Sequence, residues 1–380
     1  MADGVTSEKV AQSERILKQI HDERLKRQSR WRKFLQHPEF GALAGALLVF
    51  LFFGFTAGGS GMFAADGILN WSTVSAQLMI ISSAAALLMI GGEFDLSVGS
   101  MIGFAGMMIA IPMVYFGWPV WLSTGFAFAG ALGIGFLNGW IVVKTRLPSF
   151  IVTLASLYIL RGLTIALSIL FSNRTIVSGV REAAGDSIVP SLFSGVAFQS
   201  LFVWFSHVGV IDKLADGSPA VKGVPAVILW ALGLAVISHV ILTRTRLGNW
   251  IFASGGDANA ARNVGVPVSP VKIVLFMFTA FCATVYAAEQ VFEFGSAASD
   301  RGLLKEFEAI IAAVIGGCLL TGGYGSVVGA CFGALIFGVV QMGILFTGVP
   351  NDWFRVFLGA MLLTAVLFNN MIRRRVTGER

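Results

Sequence analysis

Two carboxylates, Glu93 and Asp95, stand in the stretch GGEFDLSVGS (Gly91–Ser100), with a charge-free run, Ser72–Ile90, before it and another apolar run after it. Acidic residues so placed have two readings. In one, Asp95 and Ser97 cap the start of the next helix, where carboxylates favour free N–H groups and the positive end of the helix dipole; in the other, Glu93 and Asp95 shape the inner gate of a polar path. Arg161 is the next anomaly, in the apolar LYILRGL. An arginine at the centre of a membrane span costs at least about 2.5–3.5 kcal/mol unless it faces the bundle or is paired. It is therefore expected either in an ion pair, with Asp95, Glu93 or Glu289 as candidate partners, or on the lining of a passage. Asn138, Thr153 and Tyr158 are uncharged polar groups in or near apolar runs. They could give a neutral polyol weak, replaceable hydrogen bonds, or serve helix–helix packing.

Other chemistry is excluded by what is missing. No G-x-x-x-x-G-K-[ST] and no Gly-Lys dipeptide occurs, so the chain has no P-loop for a nucleotide. The four histidines, at 21, 37, 207 and 239, and the three cysteines, Cys282, Cys318 and Cys331, lack metal-ligand spacing. Beyond Glu93 and Asp95 no acid/base pair stands at one depth. We expect no catalytic residues, no metal and no cofactor.

The elements that position these residues are membrane helices. Of 380 residues 56% are hydrophobic and 13% charged, with a mean hydropathy of +0.80. A span needs about 20 apolar residues to cross about 30 Å of hydrocarbon. Ten candidates follow, at 41–57, 72–90, 97–116, 118–143, 149–171, 224–242, 273–290, 308–320, 326–346 and 353–370; the eighth is short enough to be tilted, broken or partly spanning. With an even count, nineteen of the twenty-seven Lys and Arg fall on the side of the N-terminus, which places both termini in the cytoplasm. An eleventh span at 192–211 would collapse that bias. It is expected instead to be interfacial or re-entrant within an external segment, 172–223. Residues 1–40 are polar and basic without a signal-peptide core and read as a cytoplasmic segment with a helix at the headgroup surface. Residues 41–370 form the transmembrane domain and 371–380 a cytoplasmic tail. The net charge of +6 reflects orientation beside the membrane rather than nucleic-acid binding.

The basic loop 243–272 contains a short helix. Asp257 follows two glycines and suits an N-cap for Ala258–Val264, Gly265 suits the C′ position, and Pro267 lies shortly beyond. Such a helix would present Asn259 and Arg262 for docking. A short internal echo also occurs: IGGEFDLSVGSMIG (Ile90–Gly103) resembles IGGCLLTGGYGSVVG (Ile315–Gly329), as expected where a transporter is built from repeats.

GGEFDLSVGS, LPSFIVTLASLYILRGL (Leu147–Leu163), ASGGDANAARNVGV (Ala253–Val266) and EFEAIIAAVIGG (Glu306–Gly317) occur in this order. Together they resemble the permease subunits of bacterial ABC importers for simple sugars, most closely the ribose/xylose/arabinose/galactose branch. The chain departs from that pattern at Cys318–Thr321, where the family usually shows a hydroxyl-rich run, and in its longer N-terminal and external segments. The resemblance implies an all-α polytopic fold of about ten helices, the type II importer architecture, in the bacterial inner membrane. It implies a second permease copy, a separate cytoplasmic ATPase that binds the ATP, and a periplasmic sugar-binding protein. It makes Asp257, Asn259, Ala260, Ala261, Arg262 and Gly265 the helix that couples to the ATPase. A stand-alone secondary transporter or channel for small polar solutes is the alternative.

Overall fold

The computed structural model describes residues 38–214, 217–350 and 352–377; the expected headgroup helix, and the last residues of the tail, lie outside this range. The described residues begin with α1 (Pro38–Thr56), α2 (Ala65–Ile90), α3 (Val98–Phe116), α4 (Val120–Thr145) and α5 (Ser149–Ser172). β1 (Ile176–Ser178), α6 (Val180–Ala184), α7 (Ile188–Ser194), β2 (Val196–Ala197), α8 (Gln199–His207) and β3 (Val224–Pro225) follow. Next come α9 (Ala226–Arg244), α10 (Arg246–Gly256), α11 (Ala258–Asn263), α12 (Val268–Phe294) and β4 (Ser296–Ala298). α13 (Lys305–Ile315), α14 (Val327–Phe346) and α15 (Asp352–Thr377) complete it.

Seven of the described helices, α2, α3, α4, α5, α9, α12 and α14, are long and apolar enough to cross a membrane, and residues 41–56 of α1 form a shorter apolar helix. α2 and α3 lie innermost, each 78% buried over its most apolar window, whereas α5 is 28% buried. The core is built from the facing sides of α2, α3, α12 and α14, with Ile80, Leu87, Met101, Met107, Phe276 and Phe337 fully enclosed.

Three findings refine the expected pattern. The fold is not wholly helical: β1 pairs antiparallel with β4, and β2 with β3. The 192–211 stretch breaks at Gly195, whose Cβ would overlap the Ser191 carbonyl; its longest helix, α8, has 9 residues and reaches only about 14 Å. α15 runs on to Thr377, so the Arg373–Arg375 run continues that helix.

The stretch 308–320, expected as a short eighth span, is only partly helical. α13 has 11 residues, about 16 Å at 1.5 Å per residue, half of a hydrocarbon core. Residues 297–302 reach it as irregular chain laid along α3, closing in turn on Gly106, Gly103 and Gly99. A Cβ at Gly103 would come within 3.0 Å of the Arg301 carbonyl, and one at Gly99 within 2.5 Å of the Gly302 carbonyl. Non-helical backbone at membrane depth is tolerated only when buried in protein and satisfied. Arg301 does part of this: its guanidinium donates to the carbonyls of Gln290 (2.7 Å) and Ser296 (2.5 Å) and lies 4.6 Å from the centre of the Phe294 ring.

The internal echo has a structural basis in its first half. α2 and α13 end in the same reverse turn, with Gly92 and Gly317 at positive φ. Glu93 N–H reaches Leu88 O and Gly92 N–H reaches Met89 O; Cys318 N–H reaches Ala313 O and Gly317 N–H reaches Val314 O. These are the paired bonds of a Schellman cap. The second halves diverge. Ser326 caps α14 by accepting from Gly329 N–H (3.3 Å), whereas Ser100 lies within α3 and its hydroxyl is unpartnered among the described residues.

Candidate functional site: the Gly91–Ser97 turn and the α11 helix

The turn between α2 and α3 is held from every side. Glu93 forms an ion pair with Lys272, near the start of α12. The Asp95 carboxylate accepts from Ser97 N–H (2.9 Å) and Ser97 Oγ (2.5 Å) through Oδ1, and from Thr279 Oγ1 (2.7 Å) through Oδ2. Burial pushes the Asp95 carboxyl above its ordinary value, and these hydrogen bonds pull it back. Phe94 N–H donates to Ser149 Oγ (3.0 Å) and Leu96 N–H to Thr153 Oγ1 (3.1 Å), tying the turn to the first turns of α5. Asn138 on α4 donates to Ser97 Oγ (3.2 Å) and accepts from Ser156 Oγ (2.5 Å). Loop backbone buried among helices needs protein partners, and here Ser149 and Thr153 of α5 and the Asp95 carboxylate supply them.

Two expectations change here. Ser97 occupies the N-cap position of α3, but its side chain makes no cap bond because its hydroxyl is given to Asp95. Arg161 is not paired with Glu93, Asp95 or Glu289. Lys272 takes Glu93, and Glu289 accepts from Gln77 (3.1 and 3.2 Å) and Gln290 (3.2 Å). The acid that feels the Arg161 charge is Glu306, at the start of α13.

Asn138 and Thr153 are buried and committed to the turn, whereas Tyr158 is 69% exposed on the outer face of α5. Glu306 is 3% exposed, and its Oε2 packs against Gly99 without a hydrogen-bond partner among the described residues. Glu93, Asp95, Thr279 and Glu306 together line a cavity of about 10 Å³ closed by Leu88, Phe94 and Ile310, room for about one water molecule. Lys272, Thr279 and Glu306 escaped the sequence reading. The one available signal was that Lys272 and Glu306 stand at the edges of apolar runs with no opposite charge to match on their own helical face.

α11 stands apart on the same end of the bundle. Asp257 Oδ1 accepts from Asn259 N–H (2.9 Å) and Ala260 N–H (3.0 Å), the N-cap its sequence implies. Gly265 N–H to Arg262 O and Val266 N–H to Ala261 O close the other end as a Schellman cap. Asn259, Ala260, Arg262 and Gly265 are exposed, and Arg262 donates to Asn259 Oδ1 (3.0 Å). Ala261 is 4% exposed and anchors the helix inward.

Residues 67–366 match the family described as branched-chain amino acid transport system / permease component. The chain is 32% identical to the xylose transport system permease protein XylH of Escherichia coli K12, over 90% of this chain and 94% of that one. It is 32% identical to the ribose import permease protein RbsC of the same strain, over 80% and 84%. Identity to the autoinducer 2 import system permease protein LsrD of Klebsiella pneumoniae is 27%, over 78% and 81%. No solved structure matches. This chain belongs to the permease-component family of membrane transport systems and is a multi-pass membrane protein.

Proposed function

We propose that this chain is the membrane subunit of an ATP-driven importer that carries a monosaccharide, either a pentose, a hexose or a related polyol, across the bacterial inner membrane. The observation that carries this reading is likeness along nearly the whole chain to permeases named for xylose and ribose. The family's own description names branched-chain amino acids, but the relatives named for xylose and ribose favour a sugar.

With α1, α15 and the broken α13 added to the seven long spans, the chain crosses about ten times in the type II importer architecture. The excess of Lys and Arg puts both termini and the loop 243–272 in the cytoplasm, and the segment 172–223 outside. Glu93, Asp95, Asn138 and Thr153 then form the inner closure of the sugar path, with Arg161 facing Glu306 beside it. The thinly covered outer face of α5, with Phe150, Ile151 and Tyr158 exposed, supports a second permease copy as its neighbour. Energy comes from a separate cytoplasmic ATPase that docks on α11, and sugar from a periplasmic binding protein.

Replacing Arg262 by Glu reverses a charge on the exposed face of α11. We expect the variant to insert normally but lose ATP-driven uptake, scored in membranes that also carry the ATPase and binding protein. Uptake equal to the parent would remove α11 from the coupling role.

A further inference from the structure

α11 is joined to the Gly91–Ser97 turn on both of its flanks. On the N-terminal flank, Gly255 of α10 packs directly on the end of α2. A Cβ there would overlap the Ile90 carbonyl oxygen and come within 2.7 Å of Gly323 N. Gly92 meets Gly255 from the other side, a Cβ on Gly92 lying 3.1 Å from Gly255 Cα. The loop between α13 and α14 closes the same junction. Gly323 N–H donates to Ile90 O at 2.8 Å, and a Cβ on Gly322 would stand 2.7 Å from Gly92 Cα and 2.8 Å from Gly255 O. Three glycine pairs from distant parts of the chain thus meet backbone to backbone, with no side chain to cushion a displacement. On the C-terminal flank, Lys272 of α12 grips Glu93 in the same turn.

The turn in turn holds the start of α5 through Phe94 to Ser149 and Leu96 to Thr153, and holds α4 through Ser97 to Asn138. Within this chain α5 is the least buried of the long helices, and its first turns are held to the turn by these two hydrogen bonds. Packed elements of this kind shift between discrete arrangements rather than deforming smoothly.

We propose that the Gly91–Ser97 turn is the relay that converts movement of α11 into movement of α5, with Gly255 and Lys272 as its two positioning contacts. This rests on the reading of α11 as the ATPase-docking helix. Gly255 is the sharper probe because its neighbour Gly256 is a matched control: a Cβ on Gly256 meets nothing within 4 Å.

The test uses the complete transporter, with ATPase and binding protein, in proteoliposomes. Gly255→Ala should keep the ATPase bound and hydrolysing, while sugar moved per ATP falls about ten-fold, within the range by which substitutions along a coupling network act. Gly256→Ala should match the parent. If Gly255→Ala also matches the parent, the relay is wrong. Arg262→Glu separates the underlying reading: ATPase binding and uptake that survive it discard the docking role itself. Should Gly255→Ala fail to insert, hydrogen exchange on the unaltered complex decides instead. Nucleotide binding should change amide protection in 253–265 and 88–98 together, and a change confined to 253–265 overturns the relay.

Discussion

At the scale of single residues, the Glu93–Lys272 pair and the Asp95 hydrogen bonds secure the turn beside the apolar packing of Phe94. Glu93→Gln leaves the Lys272 ammonium, 13% exposed, without its counter-charge. A hydrogen bond involving a charged group contributes about 1.5–3 kcal/mol, so the purified variant should melt measurably lower in detergent. Combining Glu93→Lys with Lys272→Glu should recover part of the loss, and no recovery would mean the pair is not the cause. Glu93, Asp95, Asn138, Thr153 and Arg161 were legible in the sequence because polar groups stand out in so apolar a chain. Their partners were not. Lys272 lies 179 residues from Glu93 and Thr279 lies 184 from Asp95. Helical periodicity tells which face of a helix a residue occupies, but not which other helix covers that face. For the same reason Arg161 was matched with acids nearer in the pattern, and Glu306 was missed.

At the scale of elements, the local chemistry of α11 was readable because its caps are short-range: Asp257 acts two and three residues ahead, and Gly265 closes a turn just behind. Asp257→Ala should cost that helix about 0.5–2 kcal/mol and fray its first turn. ATP-driven uptake should fall while the amount of inserted protein stays constant, as measured by transport normalised to permease in the membrane. The long spans were legible too, since length and apolarity define them. The break before α13 was legible only as one of three readings of a short span. The polar residues Ser299, Asp300 and Arg301 of 297–302 do not tell that Gly99, Gly103 and Gly106 of α3 make room for this irregular chain. Gly99→Ala tests this. Its new methyl group would overlap Glu306 Oε2 and press on the Gly302 carbonyl, and such overpacking costs about 1–3 kcal/mol. The variant should unfold at a lower temperature, whereas Gly133→Ala, on α4 with open space around it, should not.

At the scale of the molecule, a tightly packed centre of α2, α3, α12 and α14 carries peripheral helices whose apolar outer faces meet lipid or another chain. One end of this bundle gathers the Gly91–Ser97 turn, the end of α10, and the loop between α13 and α14 into a single junction beside α11. The other end carries the paired strands and the short helices of 172–223. On the proposed reading this chain is a passage worked from one end by a partner, not a carrier with its own energy source. The most direct measurement is sugar uptake into proteoliposomes that hold this chain alone, under an imposed proton or sodium gradient, compared with liposomes that also hold its ATPase, binding protein and ATP. The account predicts uptake only in the second preparation. Robust gradient-driven uptake by the chain alone would contradict it.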